Sequence, residues 1–292
     1  MEKTNGGVWL RGNLHMHTDR SDGQRLYDDA IRLYEEAGYD FIAVTDHWVV
    51  STSGRTDGGM LLLSGCEYNV GETVKEGIYH IVAIGMENDP QIERRAPGLD
   101  AQRIIDEVNA HGGIAVLAHP AWSLNSADEA AKLHGLSGTE IFNTTSGFPM
   151  NVRPYSGLFV DQLASKGILM PCIAADDAHQ YTYDVHGGWI MLYAKEKSHA
   201  AVMEALREGS FYATEGPELH ARREGGRIHV TCTPAERIVF YSNDVWNPER
   251  VFTGEGITQA TYTIGRQDDF VRIEVIAKDG KRAYSSPMSV RE

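Results

Sequence analysis

From Val8 to Thr214 the chain alternates short apolar runs with longer amphipathic ones, and few folds accept that alternation. The runs "VWLRGNLHMH", "YDFIAVTDH", "GMLLLSGCEY", "IYHIVAIGM", "IAVLAH", "GTEIFNT", "ILMPCIAADDAH" and "GGWIMLYA" read as strands. Several are apolar at consecutive positions, so both faces of the strand are buried, as in a mainly parallel sheet covered by helices. Between them, "QRLYDDAIRLYEEAG", "DAQRIIDEVNAHGG", "SADEAAKLHGL", "YSGLFVDQLASKG" and "SHAAVMEALREG" read as helices, the first ended by Gly38. The fold class predicted for residues 1–214 is therefore α/β, and about seven such units fit a closed barrel at least as well as an open sheet.

After "SFYATEGPEL" the texture changes. Residues 215–292 carry no helical pattern but short alternating runs, "RIHVTCT", "RIVFYSN", "QATYTIG", "FVRIEVIAK" and "RAYSSPMSV", with a hairpin signal at "KDGK". This predicts a small antiparallel β-sandwich as a second unit. No internal repeat or low-complexity segment interrupts either part.

Composition narrows the partners. A formal net charge of -14 argues against a nucleic-acid duplex or an anionic membrane surface, both of which demand a basic face. It does not argue against a small anionic or ester substrate, because bound cations can reverse a local field. No apolar run reaches the ~20 residues of a membrane span, and "MEKTNGGVWLRG" does not read as a signal peptide, so a cytoplasmic location is expected. Cys66, Cys172 and Cys232 are widely spaced and form no CxxC pair, which predicts small buried thiols rather than a disulfide framework. Oligomeric state is not legible.

The chemistry-bearing residues gather at strand ends. His15 and His17 form an i, i+2 pair in "NLHMHTDRSDG", and such a pair projects to one side of a strand. Alone they are as consistent with hydrogen-bonded core histidines as with ligands. Asp22 follows in the next loop, His47 ends "AVTDH", Glu67 ends "LLLSGCEY", His80 lies in "IYHIV" and His119 ends "IAVLAH". Asp177 and His179 form a second i, i+2 pair in "ADDAH". In a parallel barrel all these ends meet on one face, where active sites are built. Mixed imidazole and carboxylate donors suit zinc, manganese or iron, and their number exceeds what one tetrahedral ion uses, so two or more ions are expected. Asp46 and Asp176 point the other way and are expected to support the ligands. His111, before Gly112–Gly113, is expected to be structural at a helix end, and His134, His199, His220 and His229, on predicted helices or in the β-module, to be exposed.

With those motifs in order, "NLHMHTDRSDG", "AVTDHW", "GCEYN", an isolated His80, "AVLAHP" and "DDAH", residues 8–214 resemble the PHP (polymerase and histidinol phosphatase) family. The resemblance implies a distorted (β/α)7 barrel, TIM-like in outline, with a two- or three-metal centre that commonly hydrolyses phosphoesters. By position it implies that His15, His17 and Asp177 hold one ion, that Glu67 bridges to a second held by His80 and His119, and that Asp22, His47 and His179 hold a third. The connector "GSFYATEGPEL" and the tail "VIAKDGKRAYSSPM" are similar to the branch that includes carbaryl hydrolases. That leaves the bond open between a phosphoester and a carboxyl or carbamate ester.

The implied reaction is attack by hydroxide generated from water between two divalent cations (Mn, Fe or Zn), with Glu67, Asp177 and His179 at its centre. A water on a third ion, or His186, is a candidate for protonating the leaving group, and Arg20, Arg153 and His186 are candidates for substrate contact. No GxSxG elbow offers a serine nucleophile. An amidohydrolase barrel also opens with HxH, but it generally uses a carboxylated lysine where this chain carries Glu67. A non-catalytic scaffold or binding protein is the rival from another class; such PHP domains tend to lose ligands, and none is missing here.

Overall fold

The computed structural model describes residues 6–71 and 77–291, so both outer bounds of the predicted units, residues 1 and 292, lie outside the described residues. The chain is a mixed α/β protein built on two sheets. In the first, Val8–Asn13 runs parallel to Phe41–Ala43, which runs parallel to Leu61–Leu63. In the second, Ile114–Leu117, Leu136–Asn143 and Cys172–Ala175 are parallel neighbours. These are the apolar runs of the sequence, and they are almost wholly buried.

Parallel order is not uniform, which departs from a regular ring of β/α units. Gly65–Val70, Tyr79–Ile84 and Ile114–Leu117 pair antiparallel. Only residues 71–78 separate the first two of these strands, fewer than the ~10 residues a parallel crossover needs. Trp189–Ala194 likewise lies antiparallel to Val8–Asn13 and starts a run through Phe211–Thr214 into the C-terminal strands. The sheets also touch through isolated parallel bridges, Met16 to Ala178 and His47 to Glu67.

Helices cover the outside. Ala101–Ala110 buries Ala101, Ile104, Ile105 and Val108, an i, i+3, i+4, i+7 stripe, and Asp100 caps it by accepting from Arg103 N at 2.9 Å. The predicted helix at "SADEAAKLHGL" shrinks to Ala127–Ala130, because Gly135 and the strand Leu136–Asn143 follow closely.

Beyond residue 215 every strand pairing is antiparallel. The runs "RIHVTCT" and "RIVFYSN" are not two strands but one, Arg227–Tyr241, whose register shifts between Thr231 and Arg237. Its first half pairs with Leu219–Glu224 and its second with Phe270–Ile276, so the bulges re-aim one strand into two neighbourhoods. The "KDGK" turn joins Phe270–Ile276 to Arg282–Tyr284, with Gly280 at φ 86. No helix among the described residues is long and apolar enough to cross a membrane.

Candidate metal centre

Two backbone contacts bring the paired motifs face to face. His15 and His17 lie just past the strand Val8–Asn13, where Asp177 N donates to His15 O at 2.8 Å and His17 N donates to Ala178 O at 2.9 Å. That register sets the i, i+2 histidines against Asp177 and His179. The bridge between His47 and Glu67 does the same for the neighbouring edge, with Trp48 N donating to Glu67 O at 3.0 Å. His80 joins because its strand is antiparallel: its first residues, not its last, reach this edge. Glu67 is the third residue of Gly65–Val70 rather than a strand end.

Glu67 is the hub. Its Oε1 lies 2.7 Å from His80 Nδ1 and 3.4 Å from His119 Nε2, and its Oε2 lies 3.1 to 3.3 Å from His17 Nε2, His47 Nδ1 and His15 Nε2. Asp177 Oδ1 faces the same two histidines, at 3.2 Å from His15 Nε2 and 3.1 Å from His17 Nε2. Toward the mouth, Asp22 Oδ1 is 3.6 Å from both His17 Nδ1 and His179 Nε2, while its Oδ2 is 3.8 Å from His47 Nε2. Burial grades outward: the Glu67 side chain is 1% exposed, those of His47 and His179 are 21%, and that of Asp22 is 55%.

These contacts define three donor groups, each with atoms within 4.8 Å of one another: His15, His17, Glu67 and Asp177; His47, Glu67 and His80; His17, Asp22, His47 and His179. The nine residues singled out in the sequence therefore converge, although His17 and His47 each stand in two groups rather than one. His119 lies outside these groups but faces both Glu67 and Asp177.

The donors fit cations. His47 Nδ1 and Asp177 Oδ1 are buried and make no hydrogen bond, although partners stand 3.1 to 3.2 Å away. His15 Nε2 and His17 Nε2 point at each other across 3.2 Å. Buried polar atoms are ordinarily paired, and converging donor atoms left without aligned partners are the arrangement that a shared cation would satisfy. The electrostatics agree. Burial alone would lower the pKa of His15, but Asp177, Glu67 and Glu140 outweigh it and raise it well above the usual imidazole range. The same balance lifts His17 to about 9 and raises His119 and His179. Against burial, the surrounding imidazoles hold Glu67, Asp177 and Asp22 below the ordinary carboxylate range. In His47 desolvation prevails and its pKa falls.

The sequence reading missed Glu140. Fully buried in the strand Leu136–Asn143, its Oε1 accepts from His15 Nδ1 at 2.7 Å while its Oε2 accepts from His119 N and Asn143 Nδ2, each at 2.8 Å. The His15 contact fixes the Nδ1–H tautomer and turns Nε2 toward Glu67. The signal was present, a carboxylate inside the apolar run "GTEIFNT". Glu140→Gln necessarily sets an NH2 group against a donor. It is expected to weaken divalent-metal affinity by about 10- to 100-fold in a chelator competition titration; unchanged affinity would remove Glu140 from the support of the centre.

Asp46 and Asp176 act as expected. Asp46 accepts from Thr18 N, Thr18 Oγ1 and Ser21 Oγ at 2.6 to 2.7 Å, holding the loop that carries Asp22. Asp176 accepts from Tyr34 Oη and from the amides of His186, Gly187 and Gly188. His119 and Asp177 sit at φ 27 and 55, left-handed conformations that non-glycine residues keep only where surroundings impose them.

The centre opens into a cleft of about 310 Å³ walled by Trp122, Thr145, Ser146, Met150, Asn151, Gln180 and Tyr183. Ser146 Oγ is buried there without a hydrogen bond. The three proposed substrate contacts are elsewhere. The guanidinium of Arg20 stacks 3.4 Å over Tyr27, and Arg153 is exposed on a separate groove with Leu124 and Leu158. His186 packs its ring at 5.0 and 5.5 Å from Tyr34 and Tyr39, because its amide is tied back to Asp176. His111 ends the helix Ala101–Ala110 with Nδ1 2.8 Å from Glu107 O, and His134, His199, His220 and His229 lie away from the cleft.

No protein-family model matches the chain, and no curated protein matches it. Among solved structures it is similar to a two-domain protein from Bacteroides vulgatus described as containing a predicted PHP-like metal-dependent phosphoesterase. The match has 19% identity and a TM-score of 0.56, over 97% of this chain and 96% of that one. Two further structures are more distant. One is a provisionally assigned metal-dependent phosphoesterase from Bifidobacterium adolescentis, at 15% identity and TM-score 0.39 over 57% of this chain and 87% of that one. The other is an amidohydrolase from Chromobacterium violaceum with sulfate and no metal bound, at 16% identity and TM-score 0.42 over 60% of this chain and 89% of that one. The first shows a shared fold along nearly the whole chain.

Proposed function

We propose that the chain is a metal-dependent hydrolase of the PHP type, a phosphoesterase acting on a small phosphomonoester or nucleotide-like substrate. The observation that carries this reading is the trio of donor groups that share Glu67, His17 and His47. His15, His17, Glu67 and Asp177 would hold one divalent ion, Glu67, His80 and His119 a second, and Asp22, His47 and His179 a third. Mixed nitrogen and oxygen donors favour Mn, Fe or Zn. Bound there, such ions would supply acidified water and take up charge on the ester oxygens.

The protein's own groups set the stage for that chemistry. Glu67 presents one oxygen to His80 and His119 and the other to His15, His17 and His47, so a single carboxylate spans both sides of the centre. Glu140 orients His15, and Asn143 Nδ2 donates to Asp177 Oδ2 at 3.2 Å. His179 places Nδ1 2.7 Å from Asp177 O, which turns Nε2 toward Asp22. Gln180 lines the same cleft with an uncharged amide, while Thr145 spends its hydroxyl on Asp177 O at 2.6 Å and Asn151 its amide on Trp122 Nε1 and Thr145 O, which fixes the wall around the centre.

Support for the wider reading comes from the backbone. The Met16–Ala178 and His47–Glu67 bridges join the two sheets, and that contact is what supports our reading of the metal-bearing part as a distorted barrel followed by an all-β C-terminal module. Three free cysteines fit a reducing, cytoplasmic setting.

One observation favours a second reading, hydrolysis of a carboxyl or carbamate ester at the same centre. Among the described residues no Lys or Arg lines the cleft, while Trp122, Met150 and Tyr183 do. A metal-reconstituted assay on p-nitrophenyl phosphate, nucleoside monophosphates and aryl carbamates decides between them. Phosphate release is the expected outcome, and turnover of carbamates alone would select the second reading. Inactivity on all three with ions bound would leave a scaffold.

A further inference from the structure

The cleft wall between Thr144 and Tyr155 is a loop pinned to its own strand at its two ends, by Ser146 N to Asn143 Oδ1 at 2.9 Å, by Asn143 N to Pro154 O at 2.9 Å and by the Phe142–Tyr155 bridge, and tied to the C-terminal segment through the Tyr155 side chain. It supplies Thr145, Ser146, Met150 and Asn151 to the cleft, and its internal amide bonds are few: Gly147 N to Thr144 O, Asn151 N to Gly147 O and Arg153 N to Ser146 O. Phe148, Met150 and Val152 stand 88, 67 and 80% exposed, so little packing holds its tip. At its end, Tyr155 reaches out of the α/β part. Its hydroxyl donates to Glu274 Oε1, and its ring stacks on Tyr284 with centroids 5.9 Å apart.

Glu274 is fully buried in the C-terminal strand Phe270–Ile276, and its position is heavily determined. Arg272, itself fully buried, donates to Glu274 Oε1 at 2.5 Å and, with both Nε and Nη2, to Asp161 at 2.8 Å. Arg282 donates to Glu274 Oε2 at 3.1 Å. Asp161 belongs to the helix Gly157–Ser165, which begins two residues after Tyr155. A bidentate arginine therefore clamps the C-terminal strand to the helix that follows the loop, and Glu274 holds the loop's last residue between them.

We propose that Glu274, acting through the Tyr155 hydroxyl, is a positioning residue for the cleft loop, so that the C-terminal β segment sets how the metal centre receives its substrate. The kinetic half of this statement rests on the hydrolase reading above; the anchoring half does not. Two variants of the full metal-loaded chain test it. Tyr155→Phe keeps the ring and its stack on Tyr284 and removes only the hydroxyl, while Glu274→Gln weakens the acceptor. Both are expected to speed amide hydrogen exchange at Gly147, Asn151 and Arg153 by about tenfold, with the helix Gly157–Ser165 unchanged. On whichever ester the chain hydrolyses, KM is expected to rise about five- to tenfold while kcat and bound metal stay within about twofold.

Unchanged exchange at those three amides in Tyr155→Phe overturns the proposal, and so does faster exchange with an unchanged KM on a hydrolysed ester. Exchange rising throughout the protein would show a structural clamp and no positioning role. If the wild-type chain hydrolyses no ester, the hydrolase reading fails instead, and localised exchange would still support the anchoring.

Discussion

Glu67→Gln is expected to lower kcat/KM by about a thousandfold or more while the chain still folds, because several kcal/mol of charge stabilisation leave the centre with one carboxylate. The geometry makes this the most damaging single change. Both oxygens of Glu67 are spoken for, Oε1 by His80 and His119 and Oε2 by His15, His17 and His47. An amide keeps the shape but leaves one oxygen, so one side of the centre loses its acceptor and meets a donor instead. Neutralisation also removes the negative charge that imidazoles on every side hold well below the ordinary carboxylate range. Bound metal per chain, measured by elemental analysis, is expected to fall with the activity, and far-ultraviolet circular dichroism to stay the same. Activity within tenfold of wild type at full metal content would sink the bridging role of Glu67.

The contrast with Arg20, Arg153 and His186 shows what a sequence can carry. The nine ligand candidates were legible because strand register is a local property: i, i+2 spacing and position at the end of an apolar run fix direction. Their meeting depends on a few backbone pairings between the sheets, Met16 with Ala178 and His47 with Glu67. His80 converged for a reason not read in advance, since its strand is antiparallel and enters from the site. The three substrate candidates sit in loops, where direction depends on long-range hydrogen bonds. His186 turns away because Asp176 collects three consecutive amides, and nothing in the local sequence announces that. Likewise "RIHVTCT" and "RIVFYSN" looked like two strands because a bulge and a turn break alternation in the same way. The buried Glu140 and Glu274 mark the remaining lesson: an acid inside an apolar strand is itself a signal, because burying it unpaired is too costly.

Stripping the divalent ions is expected to make stability fall as pH rises from about 6.5 to 9, which is unusual for a protein with so many acidic groups. Without cations, protons on the imidazoles are the charges that compensate Glu67 and Asp177. Burial would lower the pKa of His17, yet the close carboxylates of Asp177 and Glu67 lift it from 6.5 to about 9. A group whose folded-state pKa is raised contributes stability that is complete below its unfolded value, near 6.5, and gone once the pH passes its folded value, near 9. Glu67 and Asp177 shift the other way, so their contribution is present above about pH 4.5 and is lost as the pH falls below it. The chelated chain is therefore most stable between those limits, at about pH 5 to 6.5, and His17 alone accounts for about 2 to 3 kcal/mol of decline by pH 9, or roughly 5 to 10 °C in Tm. Ions reverse the slope of binding rather than add to it. They replace protons on the same nitrogens, so their apparent affinity rises with pH and the loaded chain keeps a nearly level Tm over the range where the stripped chain declines. Scanning calorimetry from pH 5.5 to 9, with chelator and with added Mn, measures both curves. A stripped chain that grows more stable toward pH 9 would show that the imidazoles around Glu67 do not carry the compensating charge, and the assignment of the centre as a set of proton-competing ligands would fall with it.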